Sequence, residues 1–156
     1  MQLSDIIASN AVIPSMRAAS KKQVLQELSN AAAKMTGLDA RRIFECLLQR
    51  EKLGSTGLGQ GIAIPHAKFT ELEQVQGLFA RLAQPIDFDA PDDQPVDLVF
   101  LLLAPESAGA DHLKALARIS RLLRDPTLVS KLRGTDSAAG LYAILTEPAA
   151  SASHAA

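Results

Sequence analysis

A histidine directly after a proline, His66, closes a stretch with glycine at 54, 57, 59 and 61, and Arg50 stands just ahead of that stretch. Near pH 7 a neutral imidazole has a free nitrogen lone pair, and it is one of the few side chains that can form a covalent intermediate without a metal or a strong base. Phosphorus is a natural electrophile for it. Phosphoryl transfer needs in-line positioning and stabilisation of charge on the equatorial oxygens, and the planar guanidinium of an arginine such as Arg50 is suited to hold them. Loop N–H groups and the hydroxyl of Ser55 or Thr56 are further candidate donors. Other chemistries fail on spacing. A Walker A loop starting at Gly54 needs a lysine where Gln60 stands, and a dinucleotide fingerprint starting at Gly57 or Gly59 fails at its third glycine, where Ile62 and Ile64 stand. No Gly-x-Ser-x-Gly elbow surrounds Ser55, and the three histidines, at 66, 112 and 154, lack the close spacing of metalloprotease ligands. No metal and no cofactor are expected.

The elements that must position these groups can be read from periodicity. Leu3–Ala8 suits a short helical turn and Ala11–Ser15 a short extended piece. Ser20 followed by Gln23 is a capping-box pattern, after which Val24, Leu25, Leu28, Ala31, Ala32 and Met35 recur at helical spacing until Gly37. Asp39 can cap a second helix, with Ile43, Phe44, Leu47 and Leu48 on one face, that carries the chain to Leu53 and puts Arg50 and Glu51 beside the glycine loop. The loop leads into the apolar run Ile62 to Ile64, which stops at Pro65. Residues 75–83 read as a strand ended by Pro85, 87–95 as a turn, and 96–104 as a central strand covered on both faces. Leu113, Leu116, Ala117, Ser120 and Leu123 mark another amphipathic helix, with Asp111 and His112 in its first turn. Asp125-Pro126 opens a short helix ended by Gly134, and Thr135 or Asp136 starts a last one containing Leu141, Ile144 and Leu145. Helices alternating with short, partly buried strands predict an α/β fold: a single layered domain over 1–147 with a mixed β-sheet flanked by helices. The Ala/Ser-rich end, 148–156, is expected to be a disordered tail.

Composition excludes several classes. The 156 residues, 47% hydrophobic, suffice for one sizeable core, and a formal net charge of -1 gives no overall field to hold nucleic acid. Cys46 is the only cysteine, so no internal disulfide can form, and a reducing compartment fits. There is no signal-peptide pattern and no apolar run long enough to span a bilayer, so membrane insertion is not expected and the location expected is cytoplasmic. Lys114, Arg118 and Arg121 share a helix face, with Arg124 nearby, and read first as a solvated stripe. By residue type alone, His112 reads as a solvated polar group, Arg50 as a cation near a helix C-terminus, and Thr56 as a hydroxyl serving loop backbone.

The run from Arg50 to Lys68 (REKLGSTGLGQGIAIPHAK), residues 85–105 (PIDFDAPDDQPVDLVFLLLAP) and Asp111-His112-Leu113 together resemble the enzyme IIA domains of the phosphoenolpyruvate phosphotransferase system. Within the fructose/mannitol-type superfamily the resemblance is to the nitrogen-regulatory branch, and it covers roughly Leu3 to Glu147. It implies a phosphocarrier in which His66 accepts a phosphoryl group from a phosphorylated HPr-like protein. His112 would stabilise that group, Arg50 would clamp its oxygens or hold His112, and Thr56 would assist in binding phosphate. Ala67 departs from the family, which often has glycine there. With neither a membrane domain nor a IIB-like cysteine domain attached, the resemblance implies a regulator of partner proteins that acts according to its phosphorylation state. The alternatives are a sugar-specific IIA that passes phosphate to a IIB transporter component, and a non-catalytic interaction module.

Overall fold

Nine of the ten residues of Val96–Pro105 are buried, the exception being Asp97, so this strand must lie between two covering layers. In the computed structural model, which describes residues 2–147, it does; the expected tail and His154 lie outside the described residues. Along the chain the elements are α1 (Leu3–Ile6), β1 (Ile7–Met16), α2 (Lys21–Thr36), α3 (Ala40–Lys52), β2 (Gly57–Gly59), β3 (Ile62–Ala63), β4 (His66–Phe69), β5 (Gln76–Ile86), β6 (Val96–Pro105), α4 (Gly109–Leu122), α5 (Pro126–Arg133) and α6 (Ala138–Leu145). The sheet order is β1-β5-β6-β3-β2, with β4 also paired to β6. β5 and β6 are antiparallel, as are β2 and β3, while β1–β5, β3–β6 and β4–β6 are parallel. The expected α/β fold with a mixed sheet flanked by helices is the one observed.

Strand alternation divides the core. On one side Val99, Leu101 and Leu103 of β6 join Val24, Leu25 and Leu28 of α2 and Ile43 and Leu47 of α3. On the other, Leu98, Phe100, Leu102 and Ala104 join Ala115 and Ile119 of α4, Val129 and Leu132 of α5, and Leu141 and Leu145 of α6. Complete burial of one such leucine contributes about 1.5–3 kcal/mol. Among the described residues, no helix is long and apolar enough to cross a membrane.

Several boundaries follow the anticipated chemistry. Ser20 accepts from Gln23 N, Asp39 from Arg42 N and Asp125 from Thr127 N, and Gly37 ends α2 with φ 76°. Others differ. The first strand spans ten residues rather than five. Pro85 does not end β5: the ladder to β6 skips from Arg81–Leu98 to Ile86–Val96, and Pro85 lies in the skipped stretch, where no N–H is required. The last helix is capped by Ser137, whose hydroxyl accepts from Gly140 N, rather than starting at Thr135 or Asp136.

The largest difference is the rotation of α4. The expected apolar face began at Leu113, but the buried residues are His112, Ala115 and Ile119, and Leu113 is 68% exposed. Burying His112 in place of a leucine turns the helix by one position. Periodicity scored on hydrophobicity cannot detect that choice.

Gly77 of β5 allows close packing across the sheet. A Cβ there would lie 2.6 Å from Phe100 Cε1 and 3.0 Å from Ile6 Cγ2, and the Phe100 ring is fully buried. Gly77→Ala is expected to destabilise the protein by about 1–3 kcal/mol through overpacking. The change would be read as a lower urea midpoint at constant slope; an unchanged midpoint would show that the ring can move aside.

Candidate functional site

β3 and β4 are two parts of one strand. Ile62 and Ala63 pair with Leu98 and Val99, and beyond Ile64-Pro65 the same register resumes with His66 opposite Leu102 and Ala67 opposite Leu103. Side chains alternate across it, so Ile62 and Ile64 pack on the α4 side while Ala63, Ala67 and Phe69 pack on the α2/α3 side. His66 shares the phase of Ile62 and Ile64, and its ring lies 5.6 Å, centroid to centroid, from that of His112, with the planes at 65°.

The half-buried His66 ring is oriented by one hydrogen bond, from Nδ1 to the carbonyl of Ile64 at 2.9 Å. A carbonyl only accepts, so Nδ1 carries the proton and the lone pair is on Nε2. His112 is 5% exposed, and no group among the described residues bonds its Nε2. Both imidazoles have pKa values below the ordinary 6.5. For His66 the main cause is burial, opposed by the Ile64 hydrogen bond and aided by the Arg50 charge; for His112 it is burial, then His66 and Lys68.

Arg50, in the last turn of α3, donates from Nη1 to Gly54 O at 2.9 Å. It lines, with His66, His112, Lys68 and Cys46, a hollow of about 770 Å³ between α3, β4 and α4. Two leucines on its border are unusually exposed, Leu53 at 85% and Leu113 at 68%. Arg42 closes another side, paired bidentately to Glu71 and lying over the Phe69 ring; the Arg42 and Thr70 hydrogen bonds pull the Glu71 carboxyl down to about 2. Cys46 is half-buried.

Thr56 does not line the hollow. It is buried, and both its N–H (3.0 Å) and its hydroxyl donate to the Glu51 carboxylate. Glu51 is also paired with Lys21 Nζ of α2 at 3.0 Å. The glycine loop is a β2–β3 hairpin with Gln60 and Gly61 at φ 57° and 84°, the left-handed pair that a two-residue turn of type I′ requires. Arg133 holds it from α5, donating to Gln60 O at 2.6 Å and to Asp97, and a Cβ on Gly61 would lie 2.3 Å from its Nη2.

The structure thus brings His66, His112 and Arg50 to one hollow and places Thr56 outside it. Lys68, Leu53 and Leu113 join the site without having been singled out as site residues. Glu51 was recognised only as a helix-end neighbour, and Lys21, thirty positions away, left no sequence signal of its contact.

The sequence matches the family described as phosphoenolpyruvate-dependent sugar phosphotransferase system, EIIA 2, over residues 5–147. It is 58% identical over 152 residues to a nitrogen regulatory protein of Bradyrhizobium diazoefficiens, covering 97% of this chain and 99% of that one. A nitrogen regulatory protein of Escherichia coli strain K12 is 42% identical over 148 residues, covering 94% of this chain and 91% of that one. The fold is similar to the crystal structure of nitrogen regulatory protein IIA-Ntr from Neisseria meningitidis, with a TM-score of 0.87, 39% identity, and coverage of 92% of this chain and 99% of that one.

A depressed pKa keeps both rings neutral into mildly acidic solution. As pH falls below about 6.5 the unfolded chain protonates its histidines while the folded chain resists, so their contribution to stability, present above 6.5, is lost as pH falls through the folded values. Nitrogen-15 NMR titration should give midpoints below 6.5 for His66 and His112; a midpoint at or above it would contradict the burial described.

Proposed function

The chain belongs to the phosphoenolpyruvate-dependent sugar phosphotransferase system EIIA 2 family, and from that premise we propose that it is a cytoplasmic phosphocarrier that takes a phosphoryl group on His66 from a phosphorylated HPr-like protein and regulates other proteins according to its phosphorylation state. The observation that carries this reading is the His66 ring itself: half-buried, its Nδ1–H bonded to Ile64 O, and 5.6 Å from a second imidazole whose Nε2 has no partner among the described residues.

The Nε2 lone pair of His66 attacks phosphorus as the bond to the donor breaks, and the electron pair of that bond stays with the donor. The proton stays on Nδ1, hydrogen-bonded to the Ile64 carbonyl, so the ring carries positive charge beside the dianionic phosphoryl group, which keeps the new N–P bond readily transferable. Arg50 and Lys68 offset charge on the phosphoryl oxygens, and Arg50 is free to do so through the guanidinium nitrogens not bonded to Gly54 O. His112 supplies a further hydrogen-bonding nitrogen, and a ligand there would relieve a buried polar atom that costs about 1–3 kcal/mol when unpaired. The Thr56 hydroxyl, engaged with Glu51, serves the loop and not the phosphoryl group.

Exposed Leu53 and Leu113 on the border of the hollow suit a protein donor more than a small molecule, since large apolar side chains at a surface mark contact with another protein. Regulation follows from charge: a phosphoryl group adds about 1.5–2 negative charges between these leucines, enough to change which surface docks there. The name shared by the two relatives, nitrogen regulatory protein, supports regulation over sugar transport.

Incubation with phosphoenolpyruvate, enzyme I and an HPr-like donor should add the mass of one acid-labile phosphate, and His66→Ala should abolish it. Arg50→Ala and His112→Ala should each slow acceptance on the order of 10²-fold. Leu113→Asp should raise the donor concentration needed for half-maximal rate. No mass increase in the wild-type chain would favour a non-catalytic module, and rapid transfer onward to a sugar-specific IIB cysteine would favour a transport role.

A further inference from the structure

We propose that Glu51 is a positioning residue for phosphoryl transfer, setting the orientation and tautomer of His66 through Thr56 and Ile64. The proposal rests on the reading of His66 as acceptor. A continuous series of hydrogen bonds joins the two side chains. Lys21 Nζ lies 3.0 Å from Glu51 Oε1, and the same oxygen accepts the Thr56 N–H at 3.0 Å while Oε2 accepts the Thr56 hydroxyl. The Thr56 carbonyl accepts the Ile64 N–H at 3.0 Å, and the Ile64 carbonyl accepts Nδ1–H of His66 at 2.9 Å.

Two features set this series apart from ordinary loop bonding. Gly61 and Pro65 turn their carbonyls to β6, accepting from Leu98 and Leu102, so Ile64 between them faces the other way and its N–H extends the β2–β3 pairing to Thr56, while Pro65 has no N–H to offer. The peptide that orients His66 is therefore held from the glycine-loop side. Glu51 also lies in the last turn of α3, where the helix dipole disfavours negative charge, and its side chain is only 3% exposed. A buried carboxylate placed against the field of its own helix needs other partners, and here they are Lys21 and both donors of Thr56. Lys21 in turn sits 4.8 Å over the Phe88 ring and 3.6 Å from Asp89, which ties α2 to the same point.

The charge of Glu51 acts in the same direction. Among the groups facing His66, Arg50 of α3 and Lys68 of β4 lower its pKa, Glu51 raises it, and His112 of α4 contacts the ring. Removing the carboxylate leaves two cations unopposed and a less basic Nε2.

The test compares Glu51→Gln, Thr56→Val and Thr56→Ser in the full chain. In unphosphorylated protein, nitrogen-15 NMR should show wild-type His66 as the Nδ1–H tautomer; Glu51→Gln and Thr56→Val should mix the tautomers and move the His66 titration further toward acid, while Thr56→Ser stays as wild type. Acceptance from the HPr-like donor should slow about tenfold in each of the first two variants, and no more in the double variant, because both act through one series of bonds. Because the tautomer is read without phosphate, the proposal can be judged even if the chain accepts none. Folded Glu51→Gln and Thr56→Val proteins with wild-type tautomer and titration would overturn it. If Glu51→Gln does not fold, Thr56→Val, which lacks only the hydroxyl bond, decides alone.

Discussion

The pairing of residues 62–69 with β6 governs the site. Its register is the same on both sides of Ile64-Pro65, so His66 keeps the strand phase of Ile62 even though the strand is interrupted just before it. A slip of one residue would send every side chain to the opposite face and direct His66 toward α2 and α3, away from His112. That register is itself secured by burial, because Ala63 and Phe69 are held in one core layer and Ile62 and Ile64 in the other. The phase of Ile64 matters as much as the register. Its backbone faces away from β6, with the N–H bonded to Thr56 O and the carbonyl available to the ring.

Electrostatics at the hollow balance two demands. A nucleophilic imidazole must be neutral, and burial together with Arg50 keeps it so. A phosphoryl group on the proposed acceptor would need positive charge nearby, and the same Arg50 lines the hollow with Lys68. Cations thus serve both demands, at the expense of some basicity in the ring, which the Ile64 hydrogen bond and Glu51 partly restore.

The glycine loop does not line the hollow and is tied instead to the elements around it. Its left-handed turn is gripped from outside: Gln60 N donates to Asp92, Gln60 O accepts from Arg133, and Gly61 leaves room for that guanidinium. These contacts come from the β5–β6 connection and from α5, so the loop beside His66 is fixed by parts of the chain far from it in sequence. Glu51 and Thr56 fix its other end.

Sequence alone determined the α/β class, the two helices ahead of the loop, the buried central strand and the candidate histidine, because those features rest on local chemistry: cap residues, glycine and proline geometry, and periodicity along the chain. The pairing of His66 with His112 across the hollow, the rotation of α4 that buries His112 and exposes Leu113, and the contact of Lys21 with Glu51 were decided by tertiary structure. Each depends on which surfaces meet when the sheet is covered, and hydrophobic pattern is blind to a buried polar side chain. The destination of the Thr56 hydroxyl illustrates the division: residue type marked it as a donor, and only the fold selected its acceptor.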